Sequence, residues 1–155
     1  MENARFTSNN YWPNWNGYPL LPSSAIDGVT VQNVATGDVF THPAAGSNSA
    51  DLLMDVKPAE AAIGVLANYA NIYPRTDSGL NRFQYMVVII NENLASETYC
   101  SPNDTFDTSY VQNAINENKP LVFDCTGTVN AETVTVRNTV VDNVSVVELQ
   151  LGYKE

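Results

Sequence analysis

The 155-residue chain is poor in most of the groups that carry chemistry. It has one histidine, two cysteines, and seven lysines and arginines against seventeen aspartates and glutamates, for a formal net charge of −10. The seven cations, Arg5, Lys57, Arg75, Arg82, Lys119, Arg137 and Lys154, stand apart from one another. Nucleic-acid binding and attachment to anionic lipid both draw on grouped cations, so neither nucleic acid nor a membrane is an expected partner. The longest apolar run, Met86–Ile90, is strand-sized, whereas a spanning helix needs about 20 apolar residues. No basic stretch followed by an apolar run opens the chain, so the sequence predicts neither a signal peptide nor a transmembrane segment.

The scarcity extends to recognisable sites. Gly64, Gly79, Gly127 and Gly152 occur singly, which excludes a glycine-rich phosphate loop. His42 lies between Thr41 and Pro43 with no Gly-x-Ser-x-Gly elbow anywhere in the chain, and no catalytic residue is expected. Asp104 and Asp107 bracket a stretch that also offers Asn103 and Thr105, but the alternating ligands, central glycine and distal glutamate of a calcium loop are missing, and Asp107 equally suits a helix N-terminus. No metal or cofactor is therefore expected. Cys100 and Cys125 have no second pair to complete a zinc set. Two states are open to them: reduced, part-buried thiols, or a disulfide whose loop would contribute about 3 kcal/mol.

What is present is polar but uncharged. Charged residues make up 15% and hydrophobic residues 44%, and Asn, Thr and Ser fill the gap. Such a surface loses little side-chain entropy when another molecule covers it. The sharpest feature is N-terminal: Tyr11, Trp12, Trp15 and Tyr18 stand among Asn9, Asn10, Asn14 and Asn16, punctuated by Pro13, Gly17 and Pro19. Proline and glycine exclude a helix there, and each large ring seeks a surface to cover it. Residues 1–24 read as an extended aromatic arm and 25–155 as one body.

In the body, Val29–Val34 and Val39–Thr41 around Thr36-Gly37-Asp38 predict a hairpin. Residues 43–49 read as a loop and 51–56 as a strand. The three- and four-residue steps of Ala59, Ala62, Ile63, Leu66, Ala70 and Tyr73 predict a helix over 58–73. Residues 82–91 predict a central strand, 92–107 a loop, and Ser109 with Gln112 a capping box that opens a second helix. Strands follow over 121–125, 132–141 and 144–151, with turns at Thr126-Gly127 and Asp142-Asn143. The fold class is α+β and β-rich: a mixed or antiparallel, sandwich-like sheet with two short helices. A parallel strand–helix–strand run in the middle competes, but hairpins at both ends favour the first.

Three roles are open to Tyr11, Trp12, Trp15 and Tyr18: partner-binding knobs on a neighbouring subunit, platforms that stack on sugar rings, or a segment folded back over its own sheet. An acidic, Asn- and Thr-rich chain with this arm and almost no catalytic side chains resembles the small accessory proteins that decorate tailed-bacteriophage heads. The resemblance is one of composition over the whole chain, so no functional residue transfers with it. It implies a non-enzymatic virion structural protein, assembled in the host cytoplasm, that binds the major capsid protein through the arm as a homo-oligomer, with a trimer favoured. The alternative is a carbohydrate-binding or host-adsorption module of a fibre or spike.

Overall fold

Runs rich in Val, Ile, Thr and Tyr fold as strands because branched and aromatic side chains pack well on a pleated surface. In the computed structural model, which describes residues 1–44, 50–56, 65–140 and 143–155, eight strands form one sheet. They are β1 (Glu2–Phe6), β2 (Leu52–Asp55), β3 (Leu66–Pro74), β4 (Met86–Ile90), β5 (Thr98–Pro102), β6 (Leu121–Asn130), β7 (Thr133–Asn138) and β8 (Val146–Gly152). Their order is β1-β2-β7-β4-β5-β6-β3-β8, and each neighbouring pair is antiparallel. The fold is thus β-rich and antiparallel, and the competing parallel arrangement is excluded for these strands.

The sheet curls as a half-barrel around one principal core in which Leu52, Met54, Ile72, Val88, Phe123, Val134 and Leu149 meet. A 3-10 turn over Pro22–Ile26 packs against both β1 and β8, the two strands at the ends of the order. Where β8 passes β3, the Tyr69 ring lies over Gly152, and a Cβ at that position would run into the ring. Glycine here admits a close approach.

Among the described residues one α-helix is present, α1 (Thr108–Asn116), where two were expected. Its cap is Asp107, whose side chain accepts from the Tyr110 amide; the expected Ser109 box lies two residues further in. The helix expected over 58–73 is replaced over its second half by β3, while residues 58–64 lie outside those described. The residues whose spacing suggested it do not share a face: Ala70 is buried, Leu66 is exposed and Tyr73 is half-buried, and a bulge between Ala67 and Tyr69 interrupts the alternation that would have marked a strand. Ladders to β6 on one side and β8 on the other then fix the strand.

Other corrections are local. The hairpin expected over 29–41 reduces to a 3-10 turn over Val34–Thr36 closed by one Asn33–Asp38 bridge. The central strand begins at Met86, after a 3-10 segment over Leu80–Tyr85. The loop expected over 92–107 contains β5, and β6 runs through the expected Thr126-Gly127 turn. The expected 43–49 loop and Asp142-Asn143 turn fall largely outside the described residues. Cys100 and Cys125 are register partners on β5 and β6 and are joined as a disulfide.

Candidate functional site

The N-terminal aromatics do not behave as one unit. Asn16 and Gly17 both take positive φ, at 50° and 88°, which makes the two-residue turn that an Asn-Gly pair favours. Trp15 and Tyr18 then exchange backbone hydrogen bonds of 2.7 and 2.9 Å. The turn folds both side chains back, half-buried, onto a small cluster of Leu20, Val39, Phe40 and Val147. Trp15 meets Phe40 edge to face at 5.0 Å, and the Arg75 guanidinium lies 4.1 Å from the same ring centre. These two expected partner-binding residues are committed to packing within the chain. The Asn16-Gly17 pair was the signal for it.

Tyr11 and Trp12 remain outside, 41% and 37% exposed. They are nonetheless held. The Trp12 amide donates to the His42 carbonyl at 3.0 Å, its own carbonyl accepts from the Leu20 amide at 2.8 Å, and Tyr11 bridges to Pro43. The indole Nε1–H donates to the Asn14 carbonyl, and the His42 ring stands edge-on at 5.6 Å. His42, with its Nδ1 against the Pro43 carbonyl, orients a neighbour. Beside Tyr11 lies a recess of about 310 Å³ whose lining includes Arg5, Phe6, Asn9, Asn10 and Ser23. Aromatic rings of fixed orientation beside amide groups form a surface that stacks on a ring and hydrogen-bonds its substituents.

A second recess, of about 360 Å³, opens on the face of the sheet turned away from the core. At its rim Arg137 donates to both carboxylate oxygens of Asp51, to Oδ1 at 3.2 Å and to Oδ2 at 2.7 Å, and at 2.7 Å to Glu92. These bonds hold the guanidinium charge more firmly than usual. Arg5 lines this recess and the one beside Tyr11.

Asp104 and Asp107, where the sequence predicts no metal, have local partners: Asp104 accepts from the Thr105 amide and Asp107 caps α1. Glu148 is the group that sequence reading missed. It is 4% exposed, and its Oε1 has no hydrogen-bond partner. Burial, then the nearby Asp27 carboxylate, push its pKa up to about 7, against the opposing hydrogen bonds from the Gly28 and Asp27 amides and the Met1 ammonium. A cation would meet Glu148 and Asp27 there, although no group of three acidic, histidine or cysteine side chains comes together among the described residues. Also among the described residues, no helix is long and apolar enough to cross a membrane.

No protein-family model matches the chain, and no curated protein matches it by sequence. Its fold is similar to two solved structures. One is titled a Streptococcus pneumoniae fucose binding module, with a TM-score of 0.63 at 17% identity over 99% of this chain and 92% of the other. The second, titled a Streptococcus pneumoniae fucose binding module, SpX-3, gives 0.61 at 15% identity over 100% and 96%.

Proposed function

We propose that the chain is a non-catalytic carbohydrate-binding module in which Tyr11 and Trp12 stack on a sugar ring while Asn9, Asn10 and Arg5 hydrogen-bond its hydroxyls. The observation that carries this reading is the exposed aromatic pair, with Trp12 oriented by the Asn14 carbonyl and the His42 ring and Tyr11 set beside a recess lined by Asn9 and Asn10. Adjacent exposed rings offer an apolar face with polar edges, which suits the stacked side of a sugar ring. The likeness in fold to modules described as fucose-binding makes L-fucose the first sugar to test. The disulfide supports the same direction, because disulfides persist in the oxidising surroundings where surface glycans are displayed.

Capsid decoration rested on composition and on an arm of four free rings. With Trp15 and Tyr18 packed on Phe40 and Leu20, half of that anchor is absent, and the comparisons lend the decoration reading no support. The test is a tryptophan-fluorescence titration with L-fucose and a panel of neutral sugars. Saturable changes that vanish in Trp12→Ala, with the melting temperature kept, support the module. A flat response across the panel overturns it.

A further inference from the structure

Asn16 and Gly17 form the one Asn-Gly pair of the chain, and both are exposed at the tip of the turn that folds Trp15 and Tyr18 back. A Cβ at Gly17 would meet no atom within 4 Å, so the outer side of the turn is open. Asparagine followed by glycine is chemically weak for a steric reason: with no Cβ to shield it, the next backbone nitrogen can approach the side-chain amide. One bond opposes that approach here. The Gly17 N–H donates to Asn14 Oδ1 at 2.9 Å, while the Asn14 carbonyl accepts from the Trp12 indole. A single asparagine thus holds both the turn and the exposed ring.

We infer that Asn16 is a site of spontaneous deamidation and that the Asn14 side chain sets its pace. The Gly17 nitrogen forms a bond to Asn16 Cγ, the Cγ–Nδ2 bond breaks, and the proton of the Gly17 amide leaves with Nδ2 as ammonia. A five-membered succinimide results. Water then adds to one of its two carbonyls: opening at Cγ leaves an aspartate at position 16, and opening at the main-chain carbonyl leaves an isoaspartate. One water enters, one ammonia leaves, and nothing is oxidised or reduced. While Asn14 holds the Gly17 proton in place the nitrogen is a poor nucleophile, because it attacks only as that proton is given up.

The two products differ in consequence. An aspartate keeps the turn, since its short polar side chain tolerates the left-handed region much as asparagine does. An isoaspartate routes the main chain through the side-chain carbons and lengthens a turn whose two residues both need positive φ. The Trp15–Tyr18 hydrogen bonds then no longer close, and Trp15 leaves Phe40.

The test incubates the folded full chain at mildly alkaline pH and follows the peptide over residues 12–18 by mass spectrometry. A gain of one mass unit is expected at Asn16 before any other asparagine converts. Asn14→Ala is expected to deamidate about fivefold faster, the worth of one net hydrogen bond, and Asn14→Asp, which keeps the acceptor, no faster than wild type. The isoaspartyl form, separated by anion exchange, is expected to shift its tryptophan emission to the red, whereas Asn16→Asp, with the same added charge and no added length, is not. An Asn16 that stays intact, or equal rates in wild type and Asn14→Ala, overturns the proposal. Neither result depends on which sugar the module binds.

Discussion

Trp15 meets Phe40 edge to face with ring centroids 5.0 Å apart, and that contact separates the two tryptophans of this chain into different roles. Trp15 belongs to a buried cluster with Leu20, Phe40 and Val147; Trp12 is held at the surface. Trp15→Ala is expected to lower stability by on the order of 2 kcal/mol, below the full cost of a buried tryptophan because the ring is half-buried. Trp12→Ala should cost well under half of that and remove sugar binding. Urea melts of both variants, each followed by a sugar titration, check the pair of outcomes.

Asn91 ties three segments together from a fully buried position. Its Oδ1 accepts from the Glu132 and Thr133 amides, and its Nδ2 donates to Ser96 Oγ and the Asn130 carbonyl. It also holds a φ of 57°, which Asn tolerates better than most residues. Asn91→Ala leaves the two amides without their side-chain acceptor and is expected to cost about 3 kcal/mol. Asn91→Asp keeps the acceptor but loses both donated bonds, so it should fall between wild type and Ala in chemical denaturation.

Glu148 gives folding a pH dependence of unusual sign for a carboxylate. Its pKa rises from 4.5 to about 7 on folding, so folding takes up a proton between those values. Stability is therefore greatest below about pH 4.5 as far as this group is concerned and falls as pH rises through 7, by at most on the order of 3 kcal/mol. Asp27, also raised by burial, adds to the same trend. Glu148→Gln should flatten the slope and raise the melting temperature at pH 8. The melts are repeated with EDTA and with calcium; a calcium-dependent rise lost in Glu148→Gln would assign the unpaired oxygen to a cation instead.

The Cys100–Cys125 disulfide closes a 25-residue separation. Replacing both cysteines with serine, or reducing the protein, is expected to cost about 3 kcal/mol by the loop-entropy model. Thermal melts with and without reductant check it, and an unchanged midpoint in the double variant would contradict it.

How far the sequence could be read follows from how local each signal is. Strands β4, β7 and β8 announced themselves through β-branched runs, β2 through the apolar Leu52-Leu53-Met54, and the helix near Asp107 through its polar opening, because those signals lie within a few residues. The 66–73 stretch misled because Leu66, Ala70 and Tyr73 are apolar at helical steps although they do not share a face, and only the flanking β6 and β8 decide between helix and strand. The four N-terminal rings were legible as a feature but not as two pairs. Which of them faces inward depends on Phe40 and Val147, residues far along the chain. The polar cleft was not legible at all: Arg5, Asp51, Glu92 and Arg137 have no sequence pattern in common and meet only through the order of β1, β2, β7 and β4.

The 3-10 turn over Pro22–Ile26 lies against both β1 and β8. Unpaired ladder groups on terminal strands are templates on which further copies grow into fibrils. One five-residue segment thus touches both terminal strands, and Pro22 at its start has no amide to offer a newcomer. Loosening that segment, for instance by Ala25→Asp at its fully buried alanine, is expected to lower the melting temperature and to raise light scattering on heating, because both terminal strands lose a neighbour without a change in any strand.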